Sequence, residues 1–442
     1  MSKAAEEMAE PRVLREYALV ADGERGALIG PDGSIAWLCV PRWDSPPAFS
    51  GLLGGAGRYT VTPTDPWHVW GGYYESGTLI WRSRWVSGSA IECREALAMP
   101  ADPHRAVLLR RIEAVDGPAD VTVILDVRGG SGSGRPASLS RHGECWTGRG
   151  GATWFRWTGA GKARHSRGRL EMRIKLAAGE RHEVVLEMSD REFTDEPPDP
   201  ERMWAGTEEA WSQVVPGCDG LIAIADARHA YAVLRGLTSA SGAMAAAATT
   251  SLPERLQGGR NYDYRYAWIR DQCYAGLAVA AHGPQPLLTG AVRFVTERLL
   301  ADGPDLMPAY TVRGGVIPAE RRLRLRGFPG GSARAGNWVR GQFQLDALGE
   351  SLSLLPPRRG MTCSPKTTGA RPRLPPTPSR NGGGNRTPES GNSTTSTGRT
   401  PGSPVCRACA RSRPRRPTAL RAGTGTARRR AGVPWPTASC PV

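Results

Sequence analysis

The chain has 442 residues, enough for two sizeable domains, and a formal net charge of +16. No apolar run approaches the length of a membrane span, and Met1–Pro11 is acidic and Ala-rich, so neither an anchor nor a secretory leader is expected. Nine scattered cysteines, an odd count without disulfide-scaffold spacing, suggest reduced thiols and a cytoplasmic location.

Residues 12–200 read as strands. Leu170-Glu171-Met172-Arg173-Ile174-Lys175-Leu176 alternates apolar and charged, the period of a sheet with one buried face. Ala106–Val115, Val121–Val127 and Val184–Met188 are further β-rich runs, separated by Pro, Gly and Asp clusters at hairpin-like spacing. Many short strands with no helical period predict an antiparallel β-sandwich. Near its start, Asp32-Gly33 marks a tight turn into a buried strand that ends Pro41-Arg42-Trp43-Asp44-Ser45. Arg42 and Asp44 read as a pair fixing that loop. The rival reading has the loop reaching over a pocket of the second domain.

Pro197-Pro198-Asp199-Pro200 punctuates the chain, and the periodicity changes after it. Glu201–Val214 and Ala223–Leu237 read as helices, the first a linker element within 201–222. Its Trp204 and Trp211 share a face and are expected to pack between domains. An apolar run from Cys273 to Ala281 predicts a helix starting at or just before Asp271, and Leu288–Leu299 and Leu345–Leu355 keep helical spacing. Asp302–Asn337 reads as a long polar loop carrying functional residues.

The densest chemistry lies between Thr249 and Asp271. Its last twelve residues, Arg260 to Asp271, hold five charged and four aromatic side chains just after Gly258-Gly259. Arg and Asp hydrogen-bond paired hydroxyls while flat rings cover sugar C–H faces, so this composition suits a polyhydroxylated ligand. From chemistry alone, a buried ion-pair network at a domain seam fits equally.

The stretch Asp263-Tyr264-Arg265-Tyr266-Ala267-Trp268-Ile269-Arg270-Asp271 resembles the signature of glycoside hydrolase family 15, the bacterial trehalase and glucoamylase-like enzymes. The resemblance makes Arg270 and Asp271, beside Trp268, the grip on the terminal glucose, with Asp263 as a further binding candidate. Gly30–Ser45 is similar to the opening of that family's N-terminal β-domain. Gly336-Asn337, Gln342-Phe343-Gln344-Leu345-Asp346 and Gly349-Glu350 match a second family pattern, which adds Gln344 and Asp346 to the substrate-binding candidates. Two residues apart on a regular helix, Gln344 and Asp346 would face about 200° apart, so only one would reach the ligand.

The resemblance implies an (α/α)6 toroid, here incomplete over 223–355. It also implies inverting hydrolysis of α-glucosidic bonds in a small-molecule substrate such as trehalose, maltose or a longer glucan. In such a mechanism one carboxylic acid protonates the leaving oxygen while an opposed carboxylate activates water. The family's two catalytic glutamates follow the Gln-x-Gln-x-Asp stretch. Glu254 and Glu350 are not at those positions, so no catalytic residue is assigned. No His/Asp/Glu cluster has metal-ligand spacing, and no cofactor is expected.

After Leu355 the character of the chain collapses into Arg, Pro, Gly, Ser, Thr and Ala, a low-complexity and disordered composition. Residues 356–442 hold 17 of the 58 basic residues and one acid, Glu389, which leaves 41 basic against 41 acidic residues in the body. The body is therefore neutral. The tail lacks interleaved aromatics for base stacking, so nucleic acid is not an expected partner, and neither is a membrane. Cys406-x-x-Cys409 lacks a second ligand pair for a metal.

A shifted reading frame accounts best for the tail. Read one base earlier with permissible codons, Arg359–Gly369 can encode Gly-His-Asp-Leu-Leu-Thr-Glu-Asp-His-Trp. Ser379–Ser393 can then encode a run ending Gly-Ile-Trp-Glu-Leu, which resembles the family segment bearing the catalytic acid. As written, the chain is expected to keep half a sugar site and little activity. A carbohydrate-binding protein without catalysis, a truncated product and, less favoured, a nucleic-acid binder are the alternatives.

Overall fold

In a computed structural model of the chain, residues 11–129, 136–166, 168–254, 260–329 and 331–355 are described. The reading of 356–442 as an out-of-frame tail lies outside these residues.

Alternation decides the first half. In Arg169–Leu176 the residues Leu170, Met172, Ile174 and Leu176 are all buried, while the intervening side chains reach solvent. That strand pairs antiparallel with Ala119–Asp126, which pairs in turn with Arg58–Pro63. With Arg164–Ser166 at the far edge these form a four-stranded sheet. An eight-stranded antiparallel sheet runs from Pro136–His142 through Arg181–Ser189 and Arg105–Ala114 to Val69–Tyr74 at its other edge. Val121, Val123 and Leu125 of the first sheet share one core with Leu108, Ile112, Trp157 and Leu186 of the second. The predicted antiparallel β-rich N-terminal part is what folds, with a further four-stranded meander over Ala18–Phe49.

Five α-helices follow among the described residues. Pro200–Val214 (α1) starts where predicted: Asp199 caps it by accepting from the Arg202 N–H at 2.8 Å, and Pro200 fills the first turn. Trp204 and Trp211 are both fully buried in a cluster that contains Leu109 and Val185 of the large sheet and Ile269 and Phe294 of the helices. They pack between the two parts of the chain, and the Arg94 guanidinium lies 4.4 Å from the Trp204 ring. Ile224–Leu237 (α2), Ile269–Ala280 (α3), Pro286–Asp302 (α4) and Leu345–Leu354 (α5) complete the set.

Helix α3 packs on both α4 and α5. Gly276 permits that approach, because a Cβ there would sit 2.7 Å from Leu354 Cδ1 and 3.1 Å from Ala291 Cβ. The stretch expected as a plain polar loop, Asp302–Asn337, is more ordered than that. Ala309–Tyr310 pairs with Ala267–Trp268, and Arg321–Arg322 pairs with Arg334–Ala335. Its backbone groups find partners because Tyr310, Val312 and Ile317 are drawn into the interior. No described helix is long and apolar enough to cross a membrane. The five described cysteines are all buried and unpaired, and burial pushes Cys39 and Cys273 up to about 11.

Candidate active site

Two helix N-termini meet at the site. Trp268 is the extended residue before α3, so Arg270 and Asp271 fall in that helix's first turn. Gln344 is the extended residue before α5, which puts Asp346 in the first turn there. Carboxylates in first turns are favoured by the helix dipole, and here two such turns face one another. Arg270 Nη1 bridges them, donating to Asp346 Oδ2 at 2.7 Å. The Asp346 bond holds Arg270 firmly protonated.

The bridge is open to solvent, with the Arg270 and Asp346 side chains 40% and 49% exposed. An exposed pair of this kind contributes about 0–1 kcal/mol, so a ligand hydroxyl can replace it at small cost. Among the described residues the other guanidinium N–H groups of Arg270 have no protein partner. Asp271 beside it is half-buried, and burial raises its pKa above the ordinary 3.8 although Arg270 acts against this. A forked donor and a partly desolvated acceptor, adjacent in one turn, match vicinal hydroxyls.

Aromatic rings cluster in the chain leading into α3. Trp268 is buried, its ring centroid 5.3 Å from that of Tyr264, which meets Tyr262 edge-on at 6.1 Å. Tyr264 donates its hydroxyl to Glu254; burial first, and then that carboxylate, push the phenol well above its usual range. On the α5 side Trp338 and Phe343 are exposed, and Tyr274 donates to Glu350 Oε1 at 2.9 Å.

Arg270, Asp271 and Asp346 are thus brought together, with Trp268 behind them. Gln344 lies at the same helix start but is not helical, so the 200° separation expected from a regular helix does not govern it. Its Nε2 donates to Gln342 Oε1 at 2.9 Å. Asp263 is elsewhere: it is 0% exposed, and both its oxygens accept from Arg265, at 2.8 and 2.7 Å.

Arg265 is the residue the sequence reading passed over. It donates from Nη1 to the Ser45 carbonyl at 2.8 Å, to the Trp43 carbonyl at 3.2 Å and to Cys39 Sγ at 3.3 Å, all in the β-rich part. Asp263 in turn accepts from the Gly336 N–H at 3.0 Å through Oδ2, and from Asn337 Nδ2 at 3.1 Å through its carbonyl. Asn337 Oδ1 accepts from the Val339 N–H and starts the turn that leads to α5. A line of bonds therefore runs from the loop at 43–45 to the turn Trp338–Gly341 that precedes α5. Asp263 and Arg265 are two apart in extended chain, hence on one side, and that spacing was the available signal. The loop at 41–45 is pinned by Arg265, and the expected Arg42–Asp44 pair is present as an ion pair, Nε to Oδ1 at 3.8 Å, longer than a hydrogen bond.

Residues 227–357 match the model for glycosyl hydrolases family 15, and residues 7–135 match the trehalase-like N-terminal model. Over these stretches the chain is glycosyl hydrolase family 15-like, with a trehalase-like N-terminal part. Relatives include the trehalase of Mycobacterium tuberculosis, 30% identical over 386 residues, covering 77% of this chain and 55% of the relative. The trehalase of Mycolicibacterium smegmatis is 30% identical over 385 residues, covering 77% and 56%. Trehalase 1 of Sulfolobus acidocaldarius is 37% identical over 132 residues, 28% of this chain and 23% of that one. The chain spans about half the length of the first two.

Proposed function

We propose that the site at the α3 and α5 N-termini holds the terminal glucose of an α-glucoside, with trehalose the first candidate. The observation that carries this is the single-bond, solvent-open bridge from Arg270 to Asp346, with Asp271 half-buried beside it. Arg270 donates to a pair of hydroxyls, Asp271 and Asp346 accept from them, and Gln344 supplies an amide at the rim. Trp268 backs the pocket floor, while Asp263 acts through Arg265 on loop position. That these relatives are trehalases supports trehalose over other α-glucosides.

The reaction proposed for this family 15 site is inverting hydrolysis within an (α/α)6 toroid, of which the described helices would form the first part. It requires a carboxylic acid at the leaving oxygen and an opposed carboxylate roughly 6.5–9.5 Å away, with water between them. Neither role falls to a residue before 356. The chain is therefore proposed to bind and orient the sugar with little or no turnover.

Titration calorimetry of the full chain with trehalose and with maltose tests this. Saturable binding that disappears in Arg270→Ala is the expected result, with no glucose released from trehalose, maltose or soluble starch. Absence of binding in the parent chain would overturn the site. Robust glucose release abolished by Asp271→Ala would overturn the claim of inactivity.

A further inference from the structure

A second cleft lies in the β-rich part, away from Arg270. It is an open recess with a cavity volume of ≈ 170 Å³. Tyr17, Asp32, Arg58, Asp126 and Arg128 line it, with Arg12 at one side and the Gly55–Gly57 loop forming a wall. That wall is thin by necessity. Gly57 has φ +91, and a Cβ there would lie 2.7 Å from the Ala48 carbonyl and 3.2 Å from Arg128 Cβ.

The charges in this cleft do not cancel. Arg58 and Asp126 are cross-strand partners, the register at which an ion pair normally forms. Asp126 instead gives both oxygens to Arg128, accepting from Nε at 2.6 Å and Nη2 at 2.9 Å. Arg58 is left without a carboxylate among the described residues, and so is Arg12. Asp32 Oδ1 is engaged locally, accepting from the Ser34 hydroxyl at 2.6 Å, and its other oxygen has no protein partner among the described residues. The Tyr17 hydroxyl accepts from the Arg12 N–H at 2.9 Å, so the ring stands at the mouth. Three guanidinium groups thus face two carboxylates around a polar recess with one aromatic wall.

We infer that this cleft is an accessory binding site for an acidic sugar, a pyranose carrying a phosphate or carboxylate group. Arg58 and Arg12 take the acidic group, while Asp32, Ser34 and the Tyr17 edge meet the ring hydroxyls. The site is independent of the Arg270 pocket and does not rest on the reading of that pocket as a glucose site.

Titration of the full chain with glucose 6-phosphate, glucuronate, glucose and inorganic phosphate tests the inference, each at low and at 0.3 M salt. Glucose 6-phosphate and glucuronate are expected to bind, more weakly at high salt. Arg58→Gln is expected to weaken both about 10-fold or more, Arg58→Lys less, and Arg270→Ala not at all. Circular dichroism melts of the Arg58 variants separate lost binding from lost fold. In the Arg270→Ala chain, glucose binding as tightly as the two acids would overturn the charge assignment. Inorganic phosphate matching glucose 6-phosphate would overturn the sugar assignment. Binding unchanged in a folded Arg58→Gln variant would overturn the location.

Discussion

Arg265 is a fully buried cation. Burial acts against its charge, and the Asp263 carboxylate more than offsets that, holding the guanidinium far above its ordinary pKa. Removing one partner of such a pair costs about 3–5 kcal/mol, because the other charge stays buried and uncompensated. Asp263→Ala should therefore lower the unfolding free energy measured by urea denaturation by an amount in that range, and Asp263→Asn by less. Asp271 runs the other way. Its folded pKa is raised above 3.8, so the folded state binds more protons than the unfolded state, and stability falls as pH rises through the folded value. Asp271→Asn should then melt higher than the parent at pH 7, with the gap closing below about pH 3.8. Thermal melts across pH 3–8 check this, and the same variant should bind trehalose more weakly. A residue that strains the fold and helps hold the ligand fits a functional position.

At the scale of elements, the short turn Trp338–Gly341 that precedes α5 depends on Asn337. Its side chain both donates to the Asp263 carbonyl and accepts from Val339 N–H. Losing a cap and a buried bond typically costs about 1–2 kcal/mol, so Asn337→Ala should lower stability by that much. Because that turn leads directly into Gln344 and Asp346, sugar affinity should fall as well, while Asp199→Ala, which weakens α1 by about 1 kcal/mol, should leave affinity unchanged.

Elements with a clean period were legible from the sequence. Arg169–Leu176 alternates strictly, α4 keeps a Leu and Val stripe, and the Asp199-Pro200 start of α1 is a local signal. What escaped was non-local. The Arg265 bonds cross more than 200 residues, and no window of sequence contains both ends. Gln344 was legible only conditionally: composition marks a helix but not its first residue, and one residue decides whether a helical angle applies. The surplus of Arg58 became visible only when Asp126 was seen turned to Arg128 instead.

For the whole molecule, the apolar surface on the helices matters most. Leu345 and Leu352 of α5 are each 71% exposed, and Tyr274 and Leu277 of α3 are exposed near them. Exposed apolar residues gathered on neighbouring helices mark association surfaces or aggregation liabilities. The chain should self-associate at micromolar concentration. The double variant Leu345→Lys with Leu352→Lys should shift it toward monomer in sedimentation, at a stability cost within about 0.5 kcal/mol, as for substitutions at exposed positions.

The Arg265 clasp also sets an order of events during synthesis. Ser45 leaves the ribosome 220 residues before the side chain that will hold its carbonyl. At about 5–20 residues per second, that gap lasts on the order of 10–45 s. For that time the loop at 43–45 has only water for its carbonyls, on sheets that are already free to form. Translation speed between codons 45 and 265 is therefore a variable of this fold, and a nascent chain stalled there presents an unlatched loop to chaperone and protease alike.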